Sequence, residues 1–188
     1  MVKYNFSSMA FKSILKVHMK NRLAALWLAV VALAGFPSWS AAADPAAVLL
    51  TVTGNIQPAK AATGKKFTFN FKELSALGST SIRGSTTYAG NAEYTGPLMK
   101  DVLIKAGMPA TAKEVILAGL DGYQSRVPVS DFVKWEVVLA HTQDGKRLEI
   151  ETKGPLLVMY PNVKHPKELN NHSTNVKQVW ALVSIKVQ

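Results

Sequence analysis

Cysteine is absent from the 188-residue chain. Its absence excludes disulfide bonds, iron–sulfur clusters, metal sites built on thiolates and catalytic cysteine nucleophiles. The length favours one domain rather than two. A hydrophobic fraction of 48% is ordinary for a packed core and too high for a disordered chain.

A concentrated basic surface is also missing, although the formal net charge is +10. Positions 1–43 contain five basic residues and no acidic residue, so half of the excess charge belongs to the N-terminal segment. The pairs Lys65-Lys66 and Lys146-Arg147 are isolated, and solvated loops or strand ends explain them. Because nucleic-acid binding needs a basic stripe, nucleic acid is not an expected partner.

Familiar catalytic motifs are lacking as well. The sequence contains no GxSxG elbow, phosphate-binding loop, GxGxxG or HExxH motif. After residue 43 there are three histidines, His141, His165 and His172. His165 and His172 share one polar stretch, but no clear third ligand accompanies them, so a metal site is not expected.

The N-terminal segment has the order of a secretory signal. Lys20 and Arg22 precede an uncharged apolar run at 23–36, and Ala41-Ala42-Ala43 supplies small residues before Asp44. A helix over this run would be about 21 Å long, short of the roughly 30 Å hydrocarbon core of a bilayer. We therefore predict a cleaved signal helix at 1–43, with Met19 as an alternative start, an exported domain at 44–188, and no stable membrane span after processing. An uncleaved anchor is the alternative.

Hydrophobic patterns over 44–188 predict an α+β fold, a single strand-rich domain of mixed β-structure with about eight strands. Pro97 and Gly107 bound the one proper helix, and short helical turns are expected at 72–77 and 129–133. The expected strands are 48–53, 66–71, 114–120, 123–129, 136–141, 147–151, 155–160 and 179–187. Residues 79–96 are expected to form a strand followed by a long surface loop, and 161–177 a second long loop.

The two polar stretches, at 79–96 and 161–177, are the first indication of a site. Rigid polar and aromatic groups occur there and at predicted turns, and a flat hydrogen-bonding heterocycle needs both kinds of group. These residues are Arg83, Tyr88, Tyr94, Asp121, Tyr123, Arg126, Tyr160, Asn162, His165, Asn170 and Asn171. Each also has a structural interpretation: Tyr123 and Tyr160 as packing, Asp121 as a turn former. Trp180, within a predicted strand, is interpreted as core.

Four segments in order carry a family resemblance. They are Gly96-Pro97-Leu98-Met99-Lys100-Asp101-Val102-Leu103 with Ala106-Gly107; Leu120-Asp121-Gly122-Tyr123 with Val127-Pro128 and Asp131; Val138-Leu139-Ala140 with Asp144-Gly145, Lys153-Gly154-Pro155-Leu156 and Tyr160-Pro161; and Val179-Trp180-Ala181-Leu182 with Ile185 and Val187. In this order they resemble the sulfite-oxidase-like oxidoreductase molybdopterin-binding domain, in its short exported bacterial form. The resemblance covers about residues 48–187.

The resemblance implies the same strand-rich α+β fold. In catalytic members a cysteine thiolate binds molybdenum, but the corresponding stretch here, 79–88, contains serine and threonine instead. A serine hydroxyl is a poor replacement for a thiolate ligand, which argues against a molybdenum cofactor. Short cysteine-less relatives look like periplasmic pterin-binding proteins that relay ligand state to a membrane receptor, such as one controlling cyclic-di-GMP.

We therefore expect a non-enzymatic periplasmic protein with a pterin as its ligand. The expected pterin-binding residues are Arg83, Tyr88, Asp121, Tyr123, Tyr160, Asn162, His165 and Asn170. Two alternatives are open. One is a molybdopterin-dependent oxidoreductase with a non-cysteine metal ligand, and the other is a periplasmic interaction module without a small ligand.

Overall fold

Strands dominate the structure, a computed structural model that describes residues 46–57, 65–87 and 89–188. In these ranges the strands are β1 Val48–Gly54, β2 Lys66–Asn70, β3 Thr80–Thr86, β4 Ala89–Gly96, β5 Glu114–Gly119, β6 Gln124–Pro128, β7 Val138–Ala140, β8 Thr142–Gln143, β9 Lys146–Arg147, β10 Leu157–Met159 and β11 Leu182–Val187. The helices are α1 Phe71–Ser75, α2 Met99–Lys105, α3 Val129–Lys134, α4 Pro166–Leu169 and α5 His172–Asn175, with a 3-10 turn at Ile150–Thr152.

The larger core is built on a five-stranded sheet in the order β2-β1-β11-β5-β6. β1 and β11 are parallel, with Val52 opposite Ile185, and the other neighbours are antiparallel. Apolar side chains alternate along these strands, so Leu50 and Val52 of β1 face the core. α2 packs on this core through its buried residues Met99, Val102 and Leu103.

A second, smaller core lies beside a four-stranded sheet in the order β3-β4-β8-β9 and the antiparallel pair β10-β7. Buried Tyr94 of β4 contributes its ring to this core. The backbone N–H of His141 donates to Thr95 O at 3.0 Å, which ties the end of β7 to β4. The two cores therefore meet along β7 and β10, whose residues are buried throughout.

The predicted fold class is confirmed, since mixed strands with few helices make up the described residues. The two strands of the hairpin at 114–128 and the short helices at 71–75 and 129–134 follow the predictions closely. All described elements belong to one unit, residues 43–188. In the described part of the chain, no helix combines the length and apolar character needed to span a membrane.

Three local predictions were wrong. Residues 79–96 form the β3–β4 hairpin rather than a strand and a long loop, because threonine, tyrosine and isoleucine pair well across strands even where glycine and serine hide the apolar alternation. The segment 161–177 contains α4 and α5, each only four residues long and too short to show a helical period. The strand expected at 147–151 ends at Arg147 and gives way to the 3-10 turn.

The predicted signal helix and cleavage site, residues 1–43, lie outside the described residues.

His141 gives the fold a testable pH dependence. The imidazole is buried against the Phe71 ring, 5.2 Å between centroids, and its Nδ1 has no hydrogen-bond partner among the described residues. Burial, and then the positive charge of Arg147, lowers the pKa of His141 below its ordinary 6.5. The unfolded chain therefore takes up a proton first as the pH falls, and this contribution to stability is complete above about pH 6.5 and is lost below it.

Replacing His141 by glutamine should make the unfolding free energy less dependent on pH between 7 and 5. The slope should fall by up to about 1.4 kcal/mol per pH unit, measured by urea unfolding at several pH values. His172→Gln is the matched control, because His172 is exposed. Equal slopes for the wild type and His141→Gln would contradict this account.

Candidate functional site

A pocket of about 500 Å³ opens where three chain segments meet. Its size is in the range typical of small-molecule sites. The lining residues come from the end of β3, from the β5–β6 turn and from the segment that runs from α5 towards β11. They are Thr86, Thr87, Asp121, Tyr123, His172, Asn175, Val176, Gln178 and Trp180.

The first wall consists of Thr86 and Thr87 and is positioned by Asn162. The Asn162 Nδ2 donates to Ser85 O, and the Asn162 Oδ1 accepts the Ser85 N–H, both at 2.8 Å. This pair of bonds joins residues 77 positions apart, next to an irregularity in the β3–β4 register. The buried Asn162 side chain thus fixes the path of the backbone at Ser85, next to the pocket. Its amide groups are already hydrogen-bonded to Ser85.

The second wall is the turn between β5 and β6. Gly122 adopts φ 84°, and Asp121 Oδ1 accepts the Tyr123 N–H at 3.0 Å, which closes a turn stabilised by its own side chain. The Tyr123 hydroxyl then donates to Val176 O at 2.8 Å. The turn residues predicted from the sequence, Asp121 and Tyr123, therefore both face the pocket and connect it to the third wall.

The third wall, residues 172–180, is held in place by three contacts with residues that do not line the pocket. Asn171 caps α5 by accepting the Thr174 N–H at 3.0 Å. The Lys177 ammonium lies 2.8 Å from Asp131 Oδ2 in a mostly buried ion pair. Gln178 is buried, and its amide nitrogen donates to Met159 Sδ at 3.4 Å. Because Lys177 turns towards α3, its neighbours Val176 and Gln178 are left facing the pocket.

Trp180 supplies a large aromatic surface to the pocket. Trp180 does not lie inside a strand as predicted, because β11 begins only at Leu182. Its partly buried side chain packs against the smaller core, as the core interpretation expects, and also lines the pocket. Gly119 allows this arrangement: a Cβ at that position would lie 2.7 Å from Trp180 O and 2.8 Å from Asp121 Oδ1. The β5–β6 turn and Trp180 are thereby brought close together.

The pocket combines aromatic faces with a few polar groups. Trp180 and Tyr123 offer aromatic surface, Asp121 offers a carboxylate, and Gln178 offers a buried amide. The Thr86 hydroxyl is buried and has no hydrogen-bond partner among the described residues. An unpartnered buried hydroxyl at a pocket wall fits a site that is completed by a ligand. Such a set suits a flat heterocycle with hydrogen-bonding edges.

Several predicted site residues lie away from the pocket lining. Tyr160 is buried in the larger core and donates to Asp131 Oδ2 at 3.1 Å; burial, and then the Asp131 carboxylate, raises the pKa of Tyr160, so the phenol stays protonated. His165 packs against the Trp135 ring, 5.3 Å between centroids. Arg83 is exposed on β3, and Asn170 is exposed at the end of α4. Tyr88 lies outside the described residues.

The remaining candidates have structural surroundings. Tyr94 is buried in the smaller core, Arg126 pairs with Glu114 at 2.7 Å on the surface, and Asn171 caps α5. Conversely, sequence reasoning missed seven lining residues: Thr86, Thr87, His172, Asn175, Val176, Gln178 and Trp180. The available signals were the two polar stretches, which contain five of the seven, but the residues chosen there were others, among them Asn162, His165 and Asn170. Gln178 and Trp180 lie beyond the second stretch.

The comparisons with known proteins agree with this fold. The family described as oxidoreductase molybdopterin binding domain matches residues 70–169. The chain belongs to this family. The match includes Thr86, Thr87, Asp121 and Tyr123 and ends before the third wall. No curated protein matches this molybdopterin-binding-type domain at a significant level.

A solved structure with a similar fold is the sulfane dehydrogenase SoxCD from Paracoccus pantotrophus. It superposes with a TM-score of 0.55 at 17% identity, and the match covers 73% of this chain. At this identity the similarity concerns the fold alone. The match also spans only 37% of the SoxCD chain, so the domain corresponds to a part of that protein.

The family implies a cofactor with two parts, a pterin and a metal. The residues of this chain fit one part and not the other. The 188 residues offer no thiolate, and no cluster of three or more metal-ligating side chains occurs among the described residues. They therefore do not fit a thiolate-held molybdenum. The pocket, with its aromatic faces and the unpartnered Thr86 hydroxyl, does fit the pterin part.

Asn162 provides a test of how the pocket is built. Asn162→Ala would leave the Ser85 N–H and C=O without partners, so the unfolding free energy should fall by about 1–3 kcal/mol in urea unfolding. Asn170→Ala, at an exposed position, is the control and should change it by less than about 0.5 kcal/mol. Equal stability of the two variants would show that the Asn162 bonds do not hold this wall.

Proposed function

We propose that the protein is a non-catalytic pterin-binding protein of the periplasm that relays the state of its ligand to a membrane signalling partner. The main support for this proposal is the pocket, a cavity of about 500 Å³ with aromatic and hydrogen-bonding walls in a molybdopterin-binding-type domain without cysteine. Stacking and edge hydrogen bonds do not depend on thiolate coordination, so pterin binding is compatible with the loss of the metal ligand.

In the proposed complex the pterin ring stacks on Trp180, and Tyr123 lies at its rim. Asp121 accepts hydrogen bonds from the amino and ring N–H groups of the pterin, since Oδ1 is used within the turn and the carboxylate has further lone pairs. Gln178 and Thr86 reach the remaining polar edge. The arrangement supports binding and orientation of a ring.

Exposed apolar residues around the pocket support the relay to a partner. Leu120 is 57% exposed, Tyr123 44% and Val176 36%, and the Tyr123 hydroxyl bonds to the Val176 carbonyl. A patch of this kind beside a pocket is typical of a contact surface. Because Tyr123 and Val176 also line the pocket, a bound ligand would change the same surface that a receptor contacts. We propose a receptor that controls cyclic-di-GMP as this partner.

The central test uses protein purified from the periplasm of a host that makes both pterins and molybdenum cofactor. Denatured wild-type protein should release a pterin in stoichiometric amount, identified by fluorescence and mass, without stoichiometric molybdenum. Trp180→Ala should release much less, because loss of stacking costs about 1–3 kcal/mol, roughly five- to 150-fold in affinity.

The chain offers a matched control for the carboxylate. Asp121 and Asp144 both precede glycine in a turn and accept a backbone N–H, but only Asp121 lines the pocket. Asp121→Asn should weaken pterin binding and Asp144→Asn should leave it unchanged. Stoichiometric molybdenum together with pterin would support the oxidoreductase alternative, and neither compound, with no binding on titration, would support the ligand-free interaction module.

A substitution at Leu120 tests contact with the partner independently of ligand binding. Leu120→Gln should bind pterin with unchanged affinity, because Leu120 is not among the pocket-lining residues and the substitution adds no charge beside Asp121, and should lose co-purification with detergent-solubilised membrane proteins of its host. Val48→Gln, at a similarly exposed apolar position on β1, is the control. Retained co-purification of the Leu120 variant would place the contact surface elsewhere.

A further inference from the structure

The aspartate of α3 joins two side chains from distant parts of the chain. Asp131 Oδ2 accepts the Tyr160 hydroxyl at 3.1 Å and lies 2.8 Å from the Lys177 ammonium, contacts that span 29 and 46 positions. Tyr160 directly follows β10, and Lys177 belongs to the third wall of the pocket. We call these three residues the Asp131 cluster. Through one carboxylate oxygen the cluster connects α3, the end of β10 and the third wall.

Stability alone does not account for the Asp131 cluster. The side chains of Lys177 and Asp131 are only 21% and 18% exposed, so both charges are largely removed from water. Desolvation of a buried ion pair commonly offsets most of its attraction, and apolar side chains of similar volume often stabilise a fold as well or better. What the pair adds is geometry, because a charge-assisted hydrogen bond is short and restricts how its partners meet. The placement of Lys177 is therefore the better explanation of the cluster.

Lys177 influences the third wall through its position in the chain. Its immediate neighbours, Val176 and Gln178, line the pocket, whereas the lysine side chain extends to Asp131. The Val176 N–H donates to His172 O at 3.1 Å, so this part of the wall is a compact turn that moves together. A displacement of Lys177 therefore displaces pocket-lining side chains, although Lys177 is not itself among them.

The other side of the cluster leads to the first wall. Tyr160 lies two residues before Asn162, and the Asn162 N–H donates to Tyr160 O at 2.8 Å, which makes a tight turn. The Asn162 side chain holds both backbone groups of Ser85, the residue before Thr86. Gly84 allows β3 to approach this turn, since a Cβ there would lie 3.0 Å from Tyr160 O. One short segment thus contacts Asp131 through its phenol and the first wall through its amide.

We propose that Asp131 is a positioning residue that couples the first and third walls of the pocket, through Lys177 on one side and residues 160–162 on the other. A ligand that orders one wall then changes the free energy of the other wall, so the pocket responds as a unit. Asp131 itself is not among the pocket-lining residues and acts only through its neighbours. The consequence for affinity rests on the proposed pterin site, whereas the coupling of the two walls is a property of the free protein.

Native-state hydrogen exchange of the full-length protein without ligand tests the coupling. Lys177→Met removes the ammonium and keeps an unbranched side chain. The Ser85 amide, which is bonded to Asn162 rather than to Lys177, should exchange about fivefold faster, the equivalent of one ordinary hydrogen bond. This change is taken relative to the Ile185 amide in β11, the central strand of the larger sheet, which reports global stability. Lys177→Arg should restore slow exchange, because a guanidinium also donates to a carboxylate.

The exposed ion pair of Arg126 with Glu114 supplies the matched control. Its length is 2.7 Å, and neither residue lines the pocket. Arg126→Met should leave the exchange of Ser85 relative to Ile185 unchanged. If Lys177→Met accelerates both amides by the same factor, the cluster has a merely structural role and the inference is overturned. Faster exchange confined to residues 174–179 would overturn it as well, because the third wall would then be independent of the first.

Pterin affinity provides a second measurement, with 6-hydroxymethylpterin as the probe at pH 7. Tyr160→Phe and Lys177→Met should each weaken binding by about two- to thirtyfold, although neither residue lines the pocket. Because both act through the same carboxylate, the double variant should bind only slightly more weakly than the weaker single variant, rather than by the product of the two factors. Tyr160→Phe removes one oxygen atom and should also accelerate the Ser85 amide, so it decides the question if Lys177→Met does not fold.

The two measurements separate this inference from the function on which its second part rests. A wild type that binds no pterin would overturn the proposed function, while faster Ser85 exchange in the variants would still support the coupling. Pterin binding by the wild type, with Ser85 exchange unchanged in both variants, would overturn the coupling and leave the pterin site standing. Multiplicative effects of Tyr160→Phe and Lys177→Met on pterin affinity would also overturn it.

Discussion

The parallel pairing of β1 with β11 is the interaction on which the rest of the structure depends. It joins the first described strand to the last and places β11 between β1 and β5, at the centre of the five-stranded sheet. Leu182 and Ile185 of β11 are buried in the larger core. Because Trp180 and Ala181 directly precede this strand, its insertion into the sheet also fixes the position of the aromatic wall. The pocket is thus a consequence of how the sheet closes.

The local sequence pattern was sufficient to predict an element where apolar residues alternate or where the turn residues are distinctive. β1 and the β5–β6 hairpin could be predicted for this reason, and Asp121 and Tyr123 were recognised because an Asp-Gly turn exposes its flanking side chains. The β3–β4 hairpin was predicted as one strand followed by a loop, because many of its residues are small and polar and show little apolar alternation. Trp180 was assigned to a strand because apolar neighbours surround it.

The errors at the site have one physical cause. A polar side chain that binds a ligand and one that satisfies a distant backbone look alike in sequence. Asn162 bonds to Ser85 across 77 positions and Tyr160 bonds to Asp131 across 29, and neither partner is visible from local context. His172 and Gln178 became pocket residues only through the tertiary contacts of residues 172–178. Family membership indicated the region of the site, and the three-dimensional contacts determined its members.

The origin of the three walls has a consequence for the life of the protein in the cell. Residues near 86, 122 and 176 are far apart in the chain and form a cavity together only after the last strand is in place, so the unfolded chain has no comparable site. A ligand that binds only the native state stabilises it by mass action, by about 2.7 kcal/mol at a hundred times its dissociation constant. The steady-state abundance of the protein would then follow the supply of such a ligand, because the unliganded fraction unfolds more often and is then exposed to proteases.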